Sequence, residues 1–128
     1  MNKQLIVLSR VAAYAVLALG TVHLIFTFVL VGQTAQIEAV FRSTFLYMFV
    51  GAGLGCLLAG LVMLFSVSAK VRSNAASKQF FDISAIFILL LGIGAPIAMK
   101  DNPFGYIMLL LGIYSTVIAF IPFKKNIF

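Results

Sequence analysis

Long apolar runs separated by short polar clusters set the pattern of the chain. Four stretches, Val11–Val31, Thr44–Ser66, Ile83–Met99 and Pro103–Phe123, are almost uninterrupted by charge. Each comes close to the roughly 20 residues a helix needs to cross a hydrocarbon core of about 30 Å. Short connections allow only antiparallel neighbours, so the pattern predicts an all-α, up-down four-helix transmembrane bundle, one integral membrane domain over residues 1–128. The first run follows Lys3 and Arg10 as a signal peptide would. It is too long for an h-region, however, and Gly32-Gln33-Thr34-Ala35 is a poor cleavage site, so it reads as a retained span.

The polar clusters carry the punctuation. In Lys100-Asp101-Asn102-Pro103, Asn102 can cap the fourth helix while Pro103 takes the first helical position, where a missing N–H costs nothing. The segment Gly32–Ser43 sets Ile37, Val40 and Phe41 at helical spacing and Glu38 four residues before Arg42. It reads either as a short surface helix or as an extension of the first helix. Asp82, four residues after Lys78, falls at the start of the third span, where a carboxylate favours the helix dipole. Pro96 interrupts the third span and frees the carbonyl of Gly92, whereas Pro122 falls where the fourth span should end.

Small residues predict which helix faces meet, because helices in lipid associate through close packing. Gly51, Gly55 and Ala59 recur every four residues in the second span, and Gly53 and Gly60 are seven apart. Gly105, Gly112 and Ala119 repeat every seven in the fourth, the period of a left-handed seam. Such seams suit either the bundle itself or a homo-oligomer. Tyr14, Tyr47 and Tyr106 lie near the ends of spans and read as interfacial belt residues.

Composition agrees with this pattern: 63% of residues are hydrophobic, 9% are charged and the mean hydropathy is +1.17. A soluble domain carries about 25% charged residues. The net charge of +6 does not point to nucleic acid, since every basic residue lies at the end of an apolar run. Lys3, Arg10, Lys70, Arg72, Lys78, Lys124 and Lys125 fall on one side, against Arg42 and Lys100 on the other. Seven against two predicts both termini in the cytoplasm. The single cysteine, Cys56, excludes an internal disulfide and CxxC chemistry.

His23 is the one ionisable residue deep in a span, about 3 Å beyond the midpoint of the first run. At 100° per residue it shares a stripe with Ser9, Val16, Gly20, Thr27 and Thr34, while Leu and Phe dominate the other faces. That stripe should face protein or a cavity, and an intramembrane histidine is a functional candidate by default. The candidate ligand contacts are His23, Thr27, Gly20 and Gly92, with His23 donating to the freed Gly92 carbonyl. Ser115, Thr116 and Tyr114 are other possible partners for a structural imidazole. A haem would need a second ligand from Met48, Met63, Met99, Met108 or a twofold-related His23. No catalytic set and no cofactor is indicated.

Arg10, the Gly20-Thr21-Val22-His23 segment and Gly51-Ala52-Gly53-Leu54-Gly55 together resemble the small four-helix bacterial membrane proteins of the DoxX-like kind. That resemblance spans most of the chain and implies architecture without a common activity. Small multidrug transporters depend on a membrane-embedded Glu, and no span here contains one. Two functional classes follow. One is a binding or accessory protein that holds a lipophilic molecule, such as a quinone or lipid, or a partner's helix near His23. The other is a minimal transporter or membrane enzyme in which His23 exchanges a proton.

Overall fold

The computed structural model describes residues 3–36, 38–68, 74–98 and 100–121. These form four long helices: α1 (Lys3–Gln33), α2 (Ala39–Ser66), α3 (Ala75–Ala98) and α4 (Pro103–Phe120), with a 3-10 turn over Thr34–Gln36 after α1. All four are long and apolar enough to cross a membrane. The chain is a small membrane protein with an all-α four-helix bundle. No residue adopts a positive φ among the described residues, so none of their glycines is required by a turn.

Helix boundaries run beyond the apolar runs wherever polar residues have good helix propensity. α1 begins at Lys3, and its 31 residues exceed the hydrocarbon core, leaving its ends in the headgroup zones. Between the first two spans, α1 and its 3-10 turn continue to Gln36 and α2 already starts at Ala39. Extended helices therefore replace a separate surface helix; Ile37 and the side chain of Val40 lie outside the described residues. The anticipated Glu38–Arg42 ion pair does not form. The Arg42 guanidinium instead donates to the Val31 carbonyl at 3.0 Å, satisfying one of the orphan acceptors at the end of α1.

α3 starts eight residues earlier than its apolar run. Asn74 caps it, its side-chain oxygen accepting from the Ala76 N–H at 3.0 Å. Asp82 thus lies two turns inside the helix and does not cap it. It pairs with Lys78, whose ammonium also donates to the Ala119 carbonyl at 2.9 Å and so ties the last turn of α4 to α3. At the other end of α4 the expected geometry holds: Asn102 accepts from the Phe104 N–H at 3.0 Å, with Pro103 in the first turn. α3 runs through Pro96 to Ala98. Pro122 lies outside the described residues, two positions beyond the end of α4.

Packing divides the bundle into two hairpins, α1 with α2 and α3 with α4, and the contact between hairpins is looser. Glycines account for the closeness within each. A Cβ on Gly20 would stand 2.9 Å from the Gly53 carbonyl oxygen and from the Leu57 nitrogen, and one on Gly60 would reach Leu17 at 2.6 Å. In the second hairpin a Cβ on Gly92 would meet the Leu109 Cα at 2.6 Å, and one on Gly112 the Leu89 Cα at 2.6 Å. These seams are used inside the monomer, which removes the glycine argument for a homo-oligomer. Gly51 is the exception among the seam residues, since a Cβ there would meet nothing within 4 Å.

The core between the hairpins holds Ala12, Val16, Cys56, Met63, Phe81 and Ile88, all of them almost fully buried. Tyr14, Tyr47 and Tyr106 face outward, as does a broad surface of Leu, Ile, Val and Phe side chains that suits lipid contact. The Tyr106 hydroxyl donates to the Lys100 carbonyl at 3.0 Å, anchoring the ring beside the α3–α4 turn.

Candidate functional site

The helix stripe bearing His23 is buried along its length. Ser9, Val16, Gly20, His23 and Thr27 are buried in α1, and Thr34 in the turn that follows. A 3.6-residue repeat turns this single face toward the bundle. Most of its hydroxyls are spent locally: Ser9 donates to the Leu5 carbonyl at 2.8 Å and Thr34 to the Leu30 carbonyl at 2.9 Å. Thr27 donates to the His23 carbonyl at 3.2 Å, an i−4 back-bond within α1.

His23 differs from these neighbours. It is 3% exposed, and neither ring nitrogen has a hydrogen-bond partner. The backbone of Phe49 approaches the ring without closing a bond. Its flat face stacks on Phe49 of α2, with centroids 3.7 Å apart and an interplanar angle of 15°, while Phe104 of α4 stands edge-on at 6.0 Å. Phe26 meets Phe104 at 5.0 Å and Phe45 meets Phe49 at 6.0 Å, so an aromatic wall holds the imidazole in place. Gly53 lies opposite the ring and makes room chiefly for Leu24: a Cβ there would stand 2.7 Å from the Leu24 side chain and 3.4 Å from His23 Cδ2.

His23 lies against a cavity of about 570 Å³ between the two hairpins, a size within the usual range for small-molecule pockets. α2 contributes Phe45, Met48, Phe49, Gly51 and Ala52; α3 contributes residues from Phe87 to Ala98; α4 contributes Phe104, Gly105 and Met108. His23 and Asn102 are the polar residues in this lining, and the Asn102 side chain is engaged at the α4 cap. Among the described residues, none that lines it carries a formal charge. Met48, Gly51, Leu90 and Gly94 are exposed, whereas Phe49, Gly105 and Met108 are buried like His23. The cavity therefore has a mouth between α2 and α3, facing the bilayer, and a floor at the imidazole.

Of the four candidate ligand contacts, only His23 lines this cavity. Gly20 is occupied by the α1–α2 crossing and Gly92 by the α3–α4 crossing, and the Thr27 hydroxyl is bound to its own helix. The expected hydrogen bond from His23 to the Gly92 carbonyl is absent, because Gly92 turns toward Leu109 and away from α1. The other suggested partners do not reach the ring either: Thr116 donates to the Ala85 carbonyl at 3.4 Å, and the buried Ser115 hydroxyl has no partner. Met48 and Met108 share the cavity with His23, while Met63 is buried in the core. No group of three His, Cys, Asp or Glu side chains suited to a metal ion occurs among the described residues.

Phe49, Phe104, Gly51 and Gly94 complete the site and were not anticipated. A signal for Phe49 exists, since Phe45 and Phe49 are spaced by four in the outer half of α2, whereas Phe104, in the first turn of α4, meets His23 only through the way the helices pack.

These features define a class: a small membrane-embedded helical bundle with an apolar, bilayer-facing cavity that ends on one histidine. Comparison with protein-family models, with curated proteins and with solved structures finds no match to the chain.

Proposed function

We propose that the protein is a non-enzymatic binding or accessory protein that holds a lipophilic molecule, such as a quinone or a lipid, with His23 as its polar contact. One observation carries this reading: His23, whose ring nitrogens are buried without a hydrogen-bond partner among the described residues, lines an uncharged cavity. A buried polar group left unsatisfied costs about 1–3 kcal/mol, and a hydroxyl or carbonyl in the cavity would remove that cost. The alternative, proton exchange by His23 in a transporter or membrane enzyme, fits less well. General acid–base chemistry calls for a group that orients the base, and the ring is held by Phe49 and Phe104 rather than by a carboxylate.

The excess of basic residues on one side supports both termini in the cytoplasm, and the resemblance to the DoxX-like proteins supports the inner membrane of a bacterium. Kinship with the DoxX-like proteins rests on the segments around His23 and Gly51–Gly55 alone and adds no activity. A partner's transmembrane helix would have to use the mouth between α2 and α3, since the other glycine seams are already filled.

The binding reading is tested by mass spectrometry of protein purified in mild detergent. The wild type should retain a lipophilic molecule in a fixed ratio to protein, and His23→Leu should lose it. An identical complement of small molecules in both proteins would refute the reading.

A further inference from the structure

Building on that binding reading, we infer that the cavity takes an uncharged lipid with one hydroxyl or carbonyl on a slender chain, which enters head first from the bilayer between α2 and α3. Charge selects against the bulk lipids. A phosphodiester headgroup drawn to the floor would be stripped of water beside Phe49, Phe104 and Met108, with no cation in the lining to compensate it. A neutral imidazole offers one donor and one acceptor. A hydroxyl can pair with either nitrogen, as donor or as acceptor, and a carbonyl with the N–H, so neither needs a counter-charge.

The mouth sets the shape. Gly51 and Gly94 are exposed on either side of it, and a Cβ at either position would meet no atom within 4 Å. With Gly32 at the end of α1, these are the glycines that no helix crossing requires. Any larger side chain would project into the passage, so the two positions leave room for a chain lying between α2 and α3. Met48 and Leu90, 65% and 63% exposed, continue the mouth as flexible apolar flanks toward the lipid. The head then rests on His23 while the tail runs out through the mouth into the membrane.

The test uses the full-length protein in nanodiscs with two photoreactive probes of equal chain length, a diazirine-bearing long-chain alcohol and a diazirine-bearing phosphatidylglycerol. Labelling of the His23–Phe49 wall is mapped by mass spectrometry and normalised to labelling at the outward-facing Phe28. The alcohol should label the wall and phosphatidylglycerol should not. His23→Phe should cut the alcohol signal about five- to tenfold, the weight of one hydrogen bond. Gly51→Leu and Gly94→Leu should cut it as well, with the unfolding transition unchanged because both sites are open. Equal labelling by phosphatidylglycerol would overturn the neutral-head assignment, and full labelling in both glycine variants would overturn the α2–α3 passage. If neither probe labels the wall above the Phe28 reference, the binding reading falls and this inference with it.

Discussion

Gly92 and Gly94 lie two residues apart in α3, about 200° around the helix, and the same substitution should have opposite effects at the two. A Cβ on Gly92 would stand 2.6 Å from the Leu109 Cα and 2.7 Å from the Leu109 nitrogen, about 0.8 Å short of the 3.4 Å at which ordinary contact begins. Both neighbours are backbone, so relief requires α3 and α4 to separate. The same movement would loosen the Gly112–Leu89 and Gly105–Ala95 contacts on either side. Overpacking of this kind costs about 1–3 kcal/mol, against a gain of about 0.5–1 kcal/mol from placing Ala in a helix. Gly92→Ala should therefore destabilise the bundle by about 1 kcal/mol net, the middle of a range of about 0–2.5 kcal/mol. Gly94→Ala, which meets nothing within 4 Å, should be neutral or slightly stabilising. Equilibrium unfolding in mixed micelles, followed by the helical circular dichroism signal, measures both. Equal stability of the two variants would refute the assignment of Gly92 to a helix crossing.

Three further outcomes follow from individual contacts. With the termini in the cytoplasm, a cysteine at the exposed Asp101 should react with an impermeant thiol reagent in intact cells, and one at the exposed Ala75 only after permeabilisation; the reverse pattern would invert the topology. Thr27→Val should leave retention of the bound molecule unchanged in mass spectrometry, because the hydroxyl bonds only within α1; loss of the molecule would restore Thr27 to the site. Lys78→Met should lower stability by about 1 kcal/mol, since it releases both Asp82 and the Ala119 carbonyl from a half-exposed site. An unchanged unfolding midpoint would show that this tie between α3 and α4 carries no weight.

The span count, the start of α4 and the buried stripe of α1 were legible in the sequence because each depends on local chemistry or a simple period. Asn102 and Pro103 cap and start α4 wherever α4 packs, and Ser9 through Thr34 share one face by helical geometry alone. Hydropathy misplaced the start of α3, since Asn74–Asp82 is too polar for lipid yet good enough as helix outside it. The site itself was only half legible. His23 stood out by type and depth, but nothing in the sequence distinguishes Gly92, which closes a crossing, from Gly94, which borders empty space. That difference depends on which way α3 is rotated against α4, a relation between helices. The cavity was hidden for the same reason: it is the space that Gly51 and Gly94 do not fill.

The uneven packing of the bundle connects its stability with its site. Glycine seams bring backbone against backbone within each hairpin, so α1–α2 and α3–α4 behave as two well-packed units. Between hairpins a side chain takes the place of such a backbone contact at one level: a Cβ on Gly55 would meet the Phe87 ring at 3.1 Å, and Phe87 also borders the cavity. The ring acts as a wedge that keeps α2 and α3 apart at this level. In water such a gap would favour collapse, but in a bilayer its mouth is filled by chains as apolar as the protein, so no hydrophobic drive closes it. The residual cost falls on the His23 nitrogens, a local violation of polar satisfaction in an otherwise consistent fold, and such violations are expected at functional sites. A bundle built only for stability would place Leu or Phe at position 23.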